Sequence, residues 1–180
     1  LEMPARAPPL VPLAMKGLLG LCISHKWYGI AAALFCGWHC FLRSAEMIDL
    51  SMSKISLNQQ LIGSISLGLT KAGKRRGAAE MVTVTSPAVG FLLQFAGKLV
   101  EPSGPLIGCS KLQFRHGFEY LLTTLQLLPY NFRLYSIRRG GATAHFSTYG
   151  DINSTVFKGR WSDIRTARIY ITRCCSASGI

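Results

Sequence analysis

Arginine, tryptophan and tyrosine residues recur in this chain at positions from which they could surround one anionic group. Arg43 follows an apolar run, Arg138 lies in the stretch YSIRRGGAT, and Trp161 precedes Tyr170 by nine residues in GRWSDIRTARIYI. Arginine keeps its charge and binds phosphate through two parallel N–H donors, while the indole of tryptophan supplies one donor. Each residue taken singly also has an ordinary structural explanation, as a salt-bridged arginine, a helix start or a core ring. The chemistry that they share is phosphate binding.

Charge and composition narrow the possible partners. The 180 residues are enough for one domain with a real core, and 49% apolar against 16% charged residues exclude a disordered chain and a coiled coil. Twenty lysines and arginines against eight acidic residues give a net charge of +12. A polyanion is the natural partner of such a domain, and nucleic acid is the commonest one, although a merely solvated basic surface remains an alternative.

Metal, membrane and export features are not expected. The six cysteines show no paired C-x-x-C spacing, and Cys36 and Cys40 with His39 lack the second pair that a zinc site needs. The apolar run from Tyr28 to Leu42 has 15 residues, fewer than the roughly 20 that span a bilayer, so we interpret it as a buried helix without a membrane role. The proline-rich start lacks the basic region of a signal peptide. We therefore expect an intracellular protein found with DNA, in the nucleus or the cytoplasm depending on the host.

Hydrophobic spacing predicts helices on both sides of one β-hairpin. The hairpin strands are GSISLGLT and AEMVTVT, joined by KAGKRRG, whose cations are Lys71, Lys74, Arg75 and Arg76. Predicted helices cover LAMKGLLGLCI, residues 27–42 with a continuation through Glu46 and Met47, Pro87 to about Leu99, residues 111–128, a segment starting near Arg138, and short segments in NSTVFKGRWS and DIRTARIYI. The expected fold class is mixed, mostly α-helical with a small antiparallel β-sheet.

Motifs in a fixed order carry a resemblance to a known family. FLRSAEM places Arg43 three residues before Glu46, TKAGKRR follows with Lys71, and YSIRRGGAT then supplies Arg138 with Tyr135 three residues before it. GRW with a tyrosine nine residues after the tryptophan ends the series. From about Leu10 to Ile171 the chain resembles the catalytic domain of tyrosine recombinases, the phage-integrase-like family. It departs from that pattern at residue 135, where the family has histidine.

The resemblance implies roles for these residues. Arg43, Lys71, Tyr135, Arg138, Trp161 and Tyr170 would be the catalytic set. The two arginines would stabilise the charge that develops on a DNA phosphate under attack, and Tyr170 would form a 3′-phosphotyrosyl bond. Lys71, with Lys74 as the second choice, would protonate the 5′-oxygen that leaves. Because the covalent bond stores the energy of the phosphodiester, neither a cofactor nor a metal is expected.

Further cations extend the expected DNA contact. The candidates are Lys74, Arg75, Arg76, Arg139, Arg160 and Arg165. The resemblance implies that residues 1–180 form a single catalytic domain without the amino-terminal DNA-clamping domain of such enzymes. It also implies double-stranded DNA as the partner and a homo-oligomer assembled on it. The implied function is DNA cleavage and rejoining in recombination, integration or transposition. Alternatives are type IB topoisomerase activity, an inactive DNA-binding relic of a mobile element, and a basic domain that binds another protein.

Overall fold

The computed structural model describes residues 7–69 and 79–171, with the side chain of Tyr170 excepted. Within these ranges the chain forms eight α-helices and one three-stranded sheet, which confirms the predicted fold class. The helices are α1 (Pro12–Ser24), α2 (Tyr28–His39), α3 (Ser44–Ile48), α4 (Pro87–Gly97), α5 (Lys111–Thr124), α6 (Leu134–Tyr149), α7 (Ile152–Gly159) and α8 (Ile164–Ile171). Short 3₁₀ turns cover Met52–Lys54 and Leu128–Tyr130.

Helix α2 is the centre of the core. Its residues from Ile30 to Leu34 are all buried, because this helix is apolar on nearly every face and packs against α1, α3, α4 and α6. No helix among the described residues is long and apolar enough to cross a membrane. The burial of Ile30 to Leu34 confirms that the long apolar run forms a core helix.

The predicted hairpin is present as β2 (Gly63–Gly68) and β3 (Glu80–Val84), which pair antiparallel. A third strand, β1 (Ile55–Leu57), lies on the other side of β2 and was not predicted. Three residues are too few for an alternating pattern to be distinguished from a loop. Ile65 of β2 pairs with Val82 of β3, and both side chains are buried against the helices. The paired strands thereby hold the sheet against the helical core.

Three predicted helix boundaries were wrong. Helix α2 ends at His39 and does not continue through Glu46, because Phe41 adopts a left-handed φ of +51° that breaks the helix before α3. Helix α5 ends at Thr124, close to another left-handed residue, Gln126, with a φ of +57°. Helix α6 begins at Leu134, before the predicted start near Arg138. At the observed start, Ser136 Oγ accepts a hydrogen bond from Arg133 N at 2.9 Å. The polar side chain at the helix start outweighs the following glycines.

Two glycines allow α6 to lie directly against the core. A Cβ atom at Gly140 would stand 2.2 Å from the carbonyl oxygen of Leu10, and one at Gly141 would stand 2.0 Å from that of Trp38. Neither position has room for a side chain. The GG of the YSIRRGGAT stretch therefore sets the depth at which Arg138 sits in the domain.

Candidate active site

Arg43 stands at the turn where α3 begins. Its backbone N–H donates to Glu46 Oε2 at 2.7 Å, and its guanidinium donates to Glu46 Oε1 at 2.7 Å. Glu80 Oε2 lies 3.7 Å from the same guanidinium. The Arg43 side chain is 38% exposed. It is thus held by carboxylates on one side and accessible to solvent on the other.

Arg138 is almost completely buried on α6, with 2% of its surface exposed. It donates to the carbonyl oxygen of Phe41, and through Nη2 to that of Gly159 at 2.6 Å. Burial lowers the pKa of Arg138 to about 10, assisted by the charges of Arg160 and Arg43. That pKa keeps the guanidinium charged at neutral pH. Arg138 and Arg43 therefore lie in one electrostatic neighbourhood.

Trp161 and Tyr135 complete the surroundings of Arg138. The guanidinium carbon of Arg138 lies 5.1 Å from the centroid of the Trp161 ring, a cation–π distance, and Trp161 also stacks with Phe41 at 6.4 Å. Tyr135 is half-buried and close enough to Arg138 to raise its pKa. Arg43, Arg138, Trp161 and Tyr135 thus meet in one region although they come from separate segments.

Arg160 occupies a different place from the predicted DNA contact. Its side chain is 9% exposed and bridges two carboxylates: Nη2 donates to Glu46 Oε2 at 2.7 Å, and Nη1 donates to Glu80 Oε2 and to Glu46 Oε1, each at 3.0 Å. Nη2 also lies 3.4 Å from the carbonyl oxygen of Phe41. These bonds direct the guanidinium into the protein, so a phosphate contact by Arg160 does not fit this geometry.

Helix α8 carries Tyr170 and begins directly after Asp163. Asp163 Oδ1 accepts a hydrogen bond from Thr166 N at 2.8 Å, which satisfies an N–H group at the helix start. Ala167 and Ile171 are buried, and they anchor α8 against α6 and α7. The backbone of Tyr170 thereby belongs to a helix that packs directly on the Arg138 helix.

Four predicted residues lie outside the described part of the chain. Lys71, Lys74, Arg75 and Arg76 belong to residues 70–78. Strands β2 and β3 flank that segment, and Glu80 at the start of β3 is bonded to Arg160. The base of the hairpin therefore enters the arginine network.

The other two predicted DNA contacts differ from each other. Arg139 is 1% exposed and donates to the carbonyl oxygen of Ala7, which is the position of a structural residue. Arg165 is exposed on α8. Burial removes Arg139 from the surface that DNA could reach, whereas Arg165 remains accessible.

A cleft of about 570 Å³ opens beside this network. Its lining includes Glu80, Arg160 and Trp161 from the network, together with His145 and Lys158. Burial lowers the pKa of Lys158, whose Nζ lies 5.1 Å from the centre of the Phe41 ring. The cleft gives a ligand access to the side of the network that carries Trp161.

Solved structures with the same arrangement of elements include three recombination proteins. XerA recombinase has a TM-score of 0.68 at 16% identity, over 94% of this chain and 61% of that protein. XerH site-specific recombinase, in a pre-cleavage complex with difH substrate, has a TM-score of 0.71 at 14% identity, over 99% of this chain and 56% of that protein. The Tn1549 transposon integrase, in complex with circular intermediate DNA, has a TM-score of 0.68 at 12% identity, over 95% of this chain and 63% of that protein. The fold is that of a tyrosine recombinase catalytic domain.

The likeness to tyrosine recombinases at these identities concerns the fold. This chain spans about three-fifths of the length of the three proteins. No family model and no curated protein matches the sequence. The predicted resemblance is confirmed at the level of the fold, and the roles of individual residues rest on the geometry described above.

Sequence reasoning missed two components of this arginine network. Glu80 was treated only as part of a strand, yet it binds Arg160 and approaches Arg43. The carbonyl oxygen of Phe41 accepts from both Arg138 and Arg160. A signal for Glu80 existed, because a carboxylate next to four hairpin cations in a chain with eight acidic residues is conspicuous. The carbonyl has no sequence signal, because every residue has one.

Proposed function

We propose that this protein cleaves and rejoins DNA strands through a covalent 3′-phosphotyrosyl intermediate on Tyr170, in recombination, integration or transposition. The observation that carries the proposal is the grouping of Arg43, Arg138 and Trp161 around one network, beside a helix that contains the tyrosine. The recombinase fold supports the same reaction class. Residues that bind phosphate and a phenol that attacks it are the minimum that this chemistry needs.

The arginines would stabilise the pentavalent transition state. As the phenolic oxygen of Tyr170 forms a bond to phosphorus, negative charge develops on the two non-bridging oxygens. Arg43, exposed on one side, would donate to one of them. Arg138 would act from the buried side of the site. The carbonyl oxygens of Phe41 and Gly159 accept hydrogen bonds from two of its five N–H donors, and its charge lies at the floor of the site.

Proton transfer would complete the reaction. The bond from phosphorus to the 5′-oxygen breaks as the tyrosine–phosphorus bond forms; the phenolic proton of Tyr170 would pass to solvent water, and Lys71 would protonate the departing oxygen. Trp161 would donate one hydrogen bond through its indole N–H, and Tyr135 would donate another through its hydroxyl. In rejoining, a 5′-hydroxyl would give its proton to the neutral amine of Lys71 as it attacks the phosphotyrosine, and the leaving oxygen of Tyr170 would take up a proton from water. No external energy source is required, because the number of phosphoester bonds is conserved.

Duplex DNA is the proposed partner. The protein would bind it inside the cell, and several copies of the protein would assemble on the DNA as a homo-oligomer. The net charge of +12 favours a polyanion, and Arg165, exposed on α8 five residues before Tyr170, would contact a flanking phosphate. The XerH and Tn1549 structures contain DNA, in agreement with this partner.

An inactive DNA-binding relic is the second candidate. It is favoured by Tyr135, because a phenol at the position where tyrosine recombinases have histidine donates a hydrogen bond but is a poor base at neutral pH. Such a protein would bind DNA through the same basic face without forming a covalent bond.

Trapping the intermediate separates the two candidates. The protein is incubated with nicked duplexes of randomised sequence, which prevent religation and require no known site, and denaturing electrophoresis then detects a protein–DNA adduct. We expect an adduct with the wild type and with Tyr130→Phe, an exposed tyrosine outside the cleft that serves as the matched control, but none with Tyr170→Phe. An adduct with Tyr170→Phe would refute the assigned nucleophile. Salt-sensitive DNA binding without any wild-type adduct would support the relic.

A further inference from the structure

We propose that Arg160 is a positioning residue, which neutralises Glu46 and Glu80 so that Arg43 can turn from these carboxylates to a DNA phosphate. The inference rests on the proposed function and deepens it. It replaces the expectation that Arg160 itself contacts DNA. Arg160 would act through Arg43 without touching the substrate.

The contacts of Arg160 fit this task. Its two terminal nitrogens reach both oxygens of Glu46, at 3.0 and 2.7 Å, and one oxygen of Glu80 at 3.0 Å. A planar guanidinium suits this arrangement because its donors are held in a rigid fork. Both carboxylates are themselves only 11% exposed, so water does little to screen them. The Arg160 charge therefore compensates much of the cost of burying two acids together.

Without Arg160, Arg43 would have to neutralise both carboxylates. Over residues 7–69 and 79–171, Arg43 and Arg160 are the cations within 4.0 Å of Glu46 or Glu80. Arg43 already donates to Glu46 at 2.7 Å and lies 3.7 Å from Glu80. Two buried carboxylates facing a single guanidinium would hold it more tightly. A phosphate would then have to compete for Arg43 against both.

The backbone at Arg160 indicates that its side chain is needed there. Arg160 ends α7 with a φ of +56°, in the left-handed region that favours glycine. An arginine in this conformation has a steric cost, which the side-chain contacts offset. The same turn directs the Gly159 carbonyl oxygen to Arg138 and presents Trp161 beside it. Arg160 is thus built into the turn that forms the site.

Paired variants test the proposal through charge compensation. In Arg160→Gln, single-turnover cleavage at saturating DNA should fall by about 100-fold, the usual loss when one transition-state donor is displaced. In Arg160→Gln/Glu80→Gln, one carboxylate fewer competes for Arg43, so cleavage should recover by at least about tenfold over the single variant. A double variant no faster than Arg160→Gln would overturn the proposal.

DNA binding distinguishes positioning from direct contact. The salt dependence of affinity counts the phosphates that are neutralised, with a slope of about 0.9 per phosphate. In an Arg43→Gln background, where the phosphate contact of Arg43 is already lost, adding Arg160→Gln should leave that slope unchanged, while adding the exposed control Arg165→Gln should lower it by about 0.9. A comparable decrease in slope on adding Arg160→Gln would mean that Arg160 contacts DNA, contrary to the proposal.

A carboxyl titration followed by NMR gives a readout that needs no cleavage. Burial raises the pKa of Glu46, but hydrogen bonds from Arg160 and Arg43 outweigh it and bring the pKa to about 2. In Arg160→Gln the titration of Glu46 should move up towards the ordinary range, and an unchanged titration would refute the proposal. If Arg160→Gln does not fold, Arg160→Gln/Glu80→Gln takes its place, since it buries one carboxylate fewer, and the titration of Glu46 should move up there too. A wild type without adduct would contradict the proposed function, while the Glu46 titration would still decide whether Arg160 neutralises the acid.

Discussion

Arg138 and Arg160 donate hydrogen bonds to one acceptor, the carbonyl oxygen of Phe41, although they come from α6 and from the end of α7. Phe41 lies in the left-handed turn between α2 and α3, and this turn directs its carbonyl towards both guanidinium groups. A single peptide unit therefore sets the separation of two cations that would otherwise repel each other.

Replacing Arg138 by lysine should impair both stability and cleavage. One ammonium group on a flexible chain cannot reach the carbonyl oxygens of Phe41 and Gly159 as the guanidinium does. A buried acceptor that loses its donor costs about 1–3 kcal/mol, so the free energy of unfolding in urea should decrease by that amount. The exposed control Arg165→Lys should change it by less than about 0.5 kcal/mol. Equal stability of the two variants would show that the carbonyl contacts of Arg138 contribute little.

Arg139 should prove to be a structural residue. Because its side chain is 1% exposed and donates to the carbonyl oxygen of Ala7, Arg139→Met should lower the free energy of unfolding by about 1–3 kcal/mol. The salt dependence of DNA affinity, measured by fluorescence anisotropy under conditions where the variant is folded, should be the same as for the wild type. A stable variant with a reduced salt dependence would restore Arg139 to the DNA-binding set.

The position of α6 should depend on Gly141. In Gly141→Ala the new Cβ would meet the carbonyl oxygen of Trp38 at 2.0 Å, so α6 must move and carry Arg138 with it. We expect a loss of about 1–3 kcal/mol of unfolding free energy, together with weaker cleavage. Gly20→Ala is the matched control, because Gly20 lies within α1 with open space around its Cβ, and it should gain about 0.5–1 kcal/mol. Similar melting temperatures for the two variants would be inconsistent with this packing.

Glu46 should make the domain sensitive to acid. Burial raises its pKa, but hydrogen bonds from Arg160 and Arg43 lower it to about 2, below the ordinary value of 4.5. A carboxyl group with a lowered pKa stabilises the fold fully above pH 4.5, and that contribution is lost as the pH falls towards 2. Urea unfolding between pH 6 and 2 should therefore show a decrease of roughly 3 kcal/mol from this group.

The control for Glu46 is Glu101, which is exposed. Glu46→Gln should lower the free energy of unfolding at neutral pH and flatten its dependence on pH below 4.5. Glu101→Gln should show the same dependence of stability on pH as the wild type. A Glu46→Gln variant that loses stability as steeply in acid as the wild type would show that other groups dominate.

The sequence by itself determined the helical core, the hairpin and the identity of most candidate residues. Apolar residues at helical spacing indicate which face of a helix is buried, so the core helix α2 and the short helices α7 and α8 could be predicted. The order of motifs from Arg43 to Tyr170 indicated the recombinase fold. These are local patterns, and each can be identified within one segment.

Only the tertiary structure decided what each cation does. Arg139 and Arg165 are the same residue type in basic segments, yet one is buried against Ala7 and the other is exposed. Arg160 faces Glu46 and Glu80, which precede it by 114 and 80 residues. The physical reason is that a guanidinium binds whichever acceptors the fold brings within about 3 Å, and carbonyl oxygens and distant carboxylates leave no pattern around the arginine itself.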